Sequence, residues 1–342
     1  MMKKYWIYNK TFDLIWILLP PIFIWFIVMF FHQQLQEIQE GYSFYTWLIL
    51  IVFIDVAHVY ASIFRSYLVK EKWKKHKLLF CIIPITCFLL SLLLYSFGAS
   101  VFWSVLAYVA VFHFIRQQYG FLRLYNRNER LSKGEKLLDT VVIYNATVYP
   151  MLYWFLHADR RFTWFMPNEF IHLNLPVLEP ALFSLYSIIL ITYMLYLLVF
   201  RIRKKEAINY QKLLLISGTY LSWYFGIVHF NNELVFTLLN VISHGIPYMA
   251  LVYFTEFKMK SHDFRIIGKV KQSISVLVFV GGLLFLAVIE EFTWETLVWK
   301  EQVGLFEINW EEIWVVPLLA LPQFTHYILD AFIWKRSYSK YE

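Results

Sequence analysis

The chain has 342 residues, of which 60% are hydrophobic and only 16% are charged. A soluble domain carries about 25% charged residues, so the composition excludes an ordinary soluble enzyme and indicates an integral membrane protein. The formal net charge of +7 comes from basic residues between long apolar segments, which favours contact with a membrane surface over binding of nucleic acid.

Ten segments are long and apolar enough to cross a bilayer, whose hydrocarbon core of about 30 Å needs roughly 20 residues of helix. The connections between them leave no room for a soluble domain. We therefore predict an all-α, polytopic transmembrane helix bundle that occupies residues 1–342 as a single membrane domain. The predicted spans are residues 12–31, 44–64, 78–97, 101–118, 138–157, 181–200, 212–231, 234–254, 272–290 and 313–334.

The distribution of Lys and Arg predicts the orientation of these spans. If the N-terminus and the C-terminus are both cytoplasmic, all but three of the 31 Lys and Arg residues lie on the cytoplasmic side. The exceptions are Arg160, Arg161 and Lys300. This agreement with the positive-inside rule predicts a multi-pass protein of the cell (inner) membrane with both termini inside.

Four of the ten histidines lie well inside predicted spans, each on a different helix: His58, His113, His244 and His326. In the predicted topology all four helices run from the outer side to the inner side. Each histidine lies 10 to 14 residues past the start of its span, a spread of only about 6 Å in depth at the rise of an α-helix. Because ionisable groups are costly in the hydrocarbon layer, four imidazoles at one depth predict a functional site.

Carboxylates lie one helical turn from two of these histidines. Asp55 precedes His58 by three residues, and Asp330 follows His326 by four, so each carboxylate shares a helix face with its histidine. An imidazole that binds a metal usually donates its second N–H to a carboxylate or a carbonyl. We therefore predict that Asp55 and Asp330 orient imidazoles, or are ligands themselves.

Other polar residues near the histidine layer have less specific signals. Arg116 and Gln117 follow His113 within about one turn, and we predict that they place a polar group of a substrate. Pro322 lies one turn before His326 and is predicted to free the backbone carbonyl of Leu318, because proline has no N–H to donate.

The remaining basic residues favour structural or solvated positions. His262 falls in a loop and is predicted to be solvated. The lysine-rich stretch at residues 70–77 is predicted to face lipid headgroups.

A single transmembrane histidine most often forms a hydrogen bond with a neighbouring helix. The presence of four histidines at one depth is therefore the feature that favours a cofactor.

The types of donor atom restrict which cofactor the site can hold. Imidazoles backed by carboxylates suit iron, copper or zinc and not magnesium or calcium. The two cysteines, Cys81 and Cys87, share one apolar segment and form no thiolate metal motif. Four haem-ligating histidines would normally lie in two layers, so one layer favours non-haem Fe²⁺, with haem or another transition metal as alternatives.

The last span, which runs from Pro322 to Lys335 as PQFTHYILDAFIWK, resembles the closing helix of the Brp/Blh membrane enzymes that cleave β-carotene to retinal. That helix has a His-x-x-x-Asp pattern followed by apolar residues and a basic residue. The family also has a His-Phe pair in a middle helix, as in His113-Phe114, and an early helix with His and Asp close together. The resemblance covers short stretches of about four helices.

In that family four membrane histidines hold a non-haem iron, so the resemblance implies iron ligation here. His326 with Asp330 matches the family best, His113 next, and His58 with Asp55 more loosely.

Our leading hypothesis is a membrane-embedded non-haem iron oxygenase of the dioxygenase type. It would use O₂ on a lipophilic substrate, such as a carotenoid, an isoprenoid or a lipid, that arrives from the bilayer. The alternatives are a proton-coupled transporter or permease that uses the His/Asp layer as a relay, and a transmembrane haem-binding electron carrier. The clustered histidine boxes of the fatty-acid desaturases do not occur in the sequence.

Overall fold

The computed structural model describes residues 5–38, 43–201, 208–259, 262–299 and 311–334. These residues are mostly helical with very little strand, which confirms the all-α prediction. One small antiparallel hairpin is formed by β1 (Asp263–Phe264) and β2 (Gly268–Lys269). The helices are α1 (Lys10–Leu18), α2 (Pro20–Phe30), α3 (His32–Glu37), α4 (Phe44–Arg65), α5 (Lys70–Ser96), α6 (Ala99–Tyr125), α7 (Lys133–Leu156), α8 (Pro176–Val199), α9 (Tyr210–Trp223 continued by Tyr224–His229), α10 (Glu233–Lys258), α11 (Gln272–Trp299), α12 (Glu312–Leu319) and α13 (Leu321–Ile333).

Six helices of the described residues are long and apolar enough to cross a membrane: α4, α5, α6, α8, α10 and α11. The number rises to eight if the pair α1–α2, bent by 49°, and the pair α12–α13, bent by 41°, each form one span. Helices α7 and α9 coincide with the other two predicted spans but do not meet the same requirement. The structure thus supports a multi-pass membrane protein, while the count of ten spans and the cytoplasmic termini stay predictions.

The bend in the last pair coincides with Pro322. Helix α12 ends at Leu319, and Pro322 lies in the first turn of α13, where its missing N–H is not needed for a helical hydrogen bond. The break between α12 and α13 therefore lies beside this proline, one turn before His326.

The chain forms two compact units, each made of two sequence segments. Unit 1 comprises residues Met1–Tyr42 and Val111–Pro247. Close helix contact in this unit is allowed by Gly218 of α9, because a Cβ there would lie only 3.1 Å from a side-chain carbon of Pro21 in α2. An apolar cluster of the unit buries Ile24, Val28, Phe230, Val235 and Leu239.

Unit 2 comprises residues Ser43–Ala110 and Tyr248–Glu342. Its apolar core includes a group of four phenylalanine rings whose neighbouring centroids lie 4.9 to 6.4 Å apart. The rings belong to Phe64, Phe257, Phe264 and Phe279. This core joins α4, α10, α11 and the hairpin, and it fixes the hairpin against the helices.

A buried ionic group in unit 2 corrects two expectations from the sequence. The carboxylate of Glu256 accepts hydrogen bonds from Arg65 and from Lys72, the latter at 2.8 Å. His262 Nε2 lies 3.1 Å from the same carboxylate. His262 is therefore not solvated, and Lys72 is buried although it belongs to the lysine-rich stretch that was predicted to face headgroups.

Candidate metal centre

Unit 1 holds one pair of the predicted histidines. His113 of α6 and His244 of α10 have ring centroids 5.2 Å apart, with ring planes 75° to each other. Phe114 lies flat on His244, at 3.5 Å between centroids and 5° between planes. One face of the His244 ring is thus covered by the ring of Phe114.

The two other predicted residues of α6 have separate contacts. Gln117 Nε2 donates to the backbone carbonyl of His244 at 2.9 Å, so this side chain ties α6 to α10 beside the histidine pair. Arg116 is exposed, donates to the hydroxyl of Tyr144 at 2.7 Å and lies over the ring of Tyr119. The structure brings Gln117 to the pair and turns Arg116 toward two tyrosines. Their roles toward a substrate stay predictions.

A segment between α7 and α8 packs against the aromatic rings beside His244. The ring of Trp164 meets Phe114 edge-on at 5.0 Å and Phe236 at 5.6 Å between centroids. The segment is held by Glu169, whose carboxylate accepts the backbone N–H groups of Trp164, Phe165 and Met166. Burial of this carboxyl raises its pKa above the usual value, against the lowering effect of those N–H groups. No feature of the sequence indicated this contact.

Unit 2 holds the second pair. His58 of α4 and His326 of α13 have ring centroids 5.1 Å apart, with planes 80° to each other. His58 Nδ1 lies 3.6 Å from Asp55 Oδ1, and His326 Nδ1 lies 3.9 Å from Asp330 Oδ1. Each carboxylate therefore faces the histidine with which the sequence pairs it. Asp55 lies in a stretch of α4 with π-helical hydrogen bonding, Leu48–Val56, a local irregularity that is frequent at functional sites.

Tyr248 completes this pair and was missed by the sequence analysis. Its hydroxyl donates to Asp330 Oδ1 at 2.6 Å, and its ring meets the rings of His58 and His326 edge-on. The signal that could have found it is its position four residues after His244, which places both on one face of α10.

The four histidines form one buried group. Each offers one ring nitrogen, and these four nitrogens all lie within 4.8 Å of one another. None of the four residues is more than 5% exposed. Four nitrogens bound at about 2.1 Å to one ion are roughly 3.0 to 4.2 Å apart, depending on the coordination geometry, so this group could bind a metal ion after small side-chain adjustments. The identity of the metal stays a prediction.

Comparison with known proteins adds no family to these observations. No protein-family profile matches the chain, and neither a curated protein nor a solved structure is significantly similar to it. The resemblance to the Brp/Blh enzymes therefore stays a prediction from short motifs.

Proposed function

We propose that this protein is a membrane-embedded non-haem iron oxygenase that acts on a lipophilic substrate. The observation that carries the proposal is the buried group of His58, His113, His244 and His326, with one nitrogen of each within 4.8 Å of the others. Ionisable side chains inside a membrane are costly and usually mark a functional site, and four imidazole nitrogens this close together can ligate one metal ion.

The chemistry of the donors supports a transition metal. Neutral imidazole nitrogens suit iron, copper and zinc, and hard cations such as Mg²⁺ and Ca²⁺ prefer oxygen ligands. Asp55 and Asp330 face Nδ1 of His58 and His326, which supports Nε2 as the metal-binding atom of these two rings. A carboxylate in that position fixes the ring and raises its basicity.

The spacing of the nitrogens disfavours haem. A porphyrin ring is about as wide as an α-helix with its side chains, roughly 10 Å. Such a ring cannot lie between two histidines while two further imidazole nitrogens remain within 4.8 Å of both. One compact centre with open coordination positions is the better match to this geometry.

The surroundings support an apolar substrate. Phe114 covers the face of His244, and Tyr248 lies against both histidines of unit 2. Bound ferrous iron would supply coordination and activation of O₂. The residues of the chain would exclude water and hold the imidazoles. A dioxygenase that cleaves one C=C bond places one oxygen atom of O₂ in each carbonyl product, so that overall reaction needs no further reductant. A carotenoid, another isoprenoid or an unsaturated lipid has such a bond.

Metal analysis of the purified protein tests the proposal. We expect stoichiometric iron and no Soret band, and we expect His113→Ala and His326→Ala to lose the iron. His32→Ala is the matched control, because His32 lies in α3 with its Nδ1 2.9 Å from the Met29 carbonyl oxygen. Protein that is free of metal after purification without chelators would contradict the proposal and favour a transporter with a His/Asp relay.

Expression in a carotene-producing host tests the substrate class. An apocarotenal that appears with the native protein and not with His326→Ala identifies a carotenoid substrate. Iron-loaded protein that leaves carotene unchanged excludes carotene and directs the search to other unsaturated lipids.

A further inference from the structure

The hairpin between α10 and α11 has an unusual tip. Its strands pair Asp263 with Lys269 and Phe264 with Gly268. The three intervening residues are closed by Gly268 at φ +64°, a left-handed conformation that glycine adopts without strain. We call residues 265–267, which are Arg265, Ile266 and Ile267, the hairpin tip.

The hairpin is held firmly through its strands and through Arg265, the first residue of the tip. Phe264 is buried in the phenylalanine group of unit 2. The backbone N–H of Arg265 donates to the Leu68 carbonyl at 2.7 Å, and its guanidinium lies 3.8 Å from the centroid of the Trp73 ring. Asp263 forms an ion pair with Lys70 at 2.8 Å. The direction in which the tip points is therefore fixed by the fold.

The fixed tip exposes two large apolar side chains. Ile266 is 81% exposed and Ile267 is 44% exposed. Turns normally carry Gly, Asn, Asp, Ser or Pro, whose side chains satisfy or tolerate the turn backbone. Two β-branched apolar residues contribute nothing to the turn itself and are unfavourable in water, so their exposure indicates an apolar environment at the tip.

Basic residues surround the tip. Exposed lysines of unit 2 near the hairpin are Lys70, Lys74, Lys75, Lys77, Lys258, Lys269 and Lys271. The exposed acidic residue Glu71 lies among them. The hydrogen bond from Lys70, together with the charges of Lys70, Lys269 and Lys74, holds the pKa of Asp263 below its usual value. This surface is therefore positive and complementary to anions.

The basic surface lies at the edge of the lipid-facing surface. Leu78 of α5 is 73% exposed and directly follows the last lysine of the stretch. Leu277 of α11 is also 73% exposed and lies eight residues after Lys269. We expect exposed leucines at these positions to lie in the hydrocarbon layer, which would place the lysines before them at headgroup depth.

We propose that this hairpin is a binding surface for anionic phospholipid, with Ile266 and Ile267 inserted at the acyl-chain boundary and the surrounding lysines on the headgroup phosphates. The surface anchors unit 2 to one leaflet and selects acidic lipids around it. Apolar side chains flanked by basic ones are the combination that binds peripheral elements to anionic membranes. This inference does not depend on the metal centre.

A fluorescent label on Ile266→Cys tests the insertion, in a background without the native cysteines (Cys81→Ser, Cys87→Ala). The protein is placed in nanodiscs of phosphatidylcholine alone or mixed with phosphatidylglycerol. We expect quenching by brominated acyl chains and protection from iodide, both stronger with phosphatidylglycerol. A label on Arg130→Cys, at an exposed site in the loop between α6 and α7 of unit 1, is the aqueous control. Equal iodide quenching at both positions overturns the proposal.

The charge component has its own test. Native mass spectrometry should show phosphatidylglycerol retained over phosphatidylcholine, and Lys74→Gln with Lys269→Gln should weaken that retention by about fivefold per lysine. Lys133→Gln, at an exposed lysine of unit 1, should change it little. Unchanged lipid selectivity in the double variant overturns the proposal. Protection of the label that appears only as protein concentration rises would also overturn it, in favour of a contact between copies of the chain.

Discussion

Tyr248 donates a hydrogen bond of 2.6 Å to Asp330. The same oxygen of Asp330 lies 3.9 Å from His326 Nδ1, so the phenol holds the carboxylate that faces the imidazole. The Tyr248 ring also packs edge-on against His58, with centroids 6.0 Å apart. Because residues behind the ligands fix ring orientation, Tyr248 is a positioning residue of the proposed metal centre.

Tyr248→Phe keeps the ring and removes the hydrogen bond to Asp330. We expect the affinity for Fe²⁺, measured by competition with a chelator, to fall 10- to 100-fold, as is usual when such a partner is lost. The metal-free protein should lose only about 1 kcal/mol of stability, the net worth of one hydrogen bond.

Tyr253→Phe is the matched control for this prediction. Tyr253 lies on the same helix, and its hydroxyl contacts Ser275 Oγ at 2.9 Å, away from the histidines. Its loss should lower thermal stability by a similar amount and leave iron affinity unchanged. Equal iron affinity of the two variants would show that Tyr248 has a purely structural role.

The histidine group was predictable because helix geometry converts sequence position into depth. His58 and His326 recur at one depth on separate helices, and Asp55 and Asp330 follow from spacing along one helix face. Trp164 was not predictable, because a segment between helices reaches its neighbours through a path that no periodicity encodes. The pairing of Asp55 with His58 was predictable because both residues lie on one face of the same helix. Which distant segments contact each other depends on packing, which no such spacing encodes.

The ionic group around Glu256 shows the same limit. Lys72 and His262 lie in stretches whose composition predicts solvation. Lys72 is buried because it contacts Glu256, which is 184 residues further along the chain, and His262 contacts the same carboxylate. Glu256→Gln would leave Arg65 and Lys72 buried without their counter-charge. We expect a loss of about 3–5 kcal/mol in unfolding free energy, the usual effect of removing one partner of a buried pair.

Asp263→Asn is the control for the Glu256 prediction. The stability of both variants is measured by thermal unfolding in one detergent. Lys70 and Asp263 form an exposed pair, with side chains 51% and 39% exposed, and exposed pairs contribute little because water and salt screen them. A similar loss of stability in both variants would contradict a special role for the buried group.

The Lys70–Asp263 pair predicts how the hairpin responds to acid. The hydrogen bond from Lys70 lowers the pKa of Asp263 below its ordinary value of 3.8. The contribution of the pair is therefore complete above pH 3.8 and is lost as the pH falls through the lower folded-state pKa. Anisotropy of a label on Ile266→Cys should be constant from pH 8 to about pH 5 and fall only below about pH 4. With Asp263→Asn the acid transition should disappear, and a transition that persists would assign it to another group.

Trp164 predicts how the histidine pair of unit 1 is shielded. Its ring covers Phe114, which in turn lies on His244, and the predicted topology places the segment on the outer side. Trp164→Ala removes that ring, so we expect water and solutes to reach Phe114 and the histidine beneath it more easily. A charged, membrane-impermeant iron chelator added outside proteoliposomes should then remove iron faster than from the native protein. Trp164→Phe should be intermediate.

Trp154→Ala separates this shielding from a general loosening of unit 1. Trp154 is buried and packs on Phe162, Phe170 and Phe236. Its loss should cost about 3–5 kcal/mol of stability, as for other core tryptophans. If Trp164 acts as a cover, iron removal accelerates more in Trp164→Ala than in Trp154→Ala, although Trp154→Ala is the less stable protein. The reverse order would assign chelator access to unfolding of the unit and not to the loss of one covering ring.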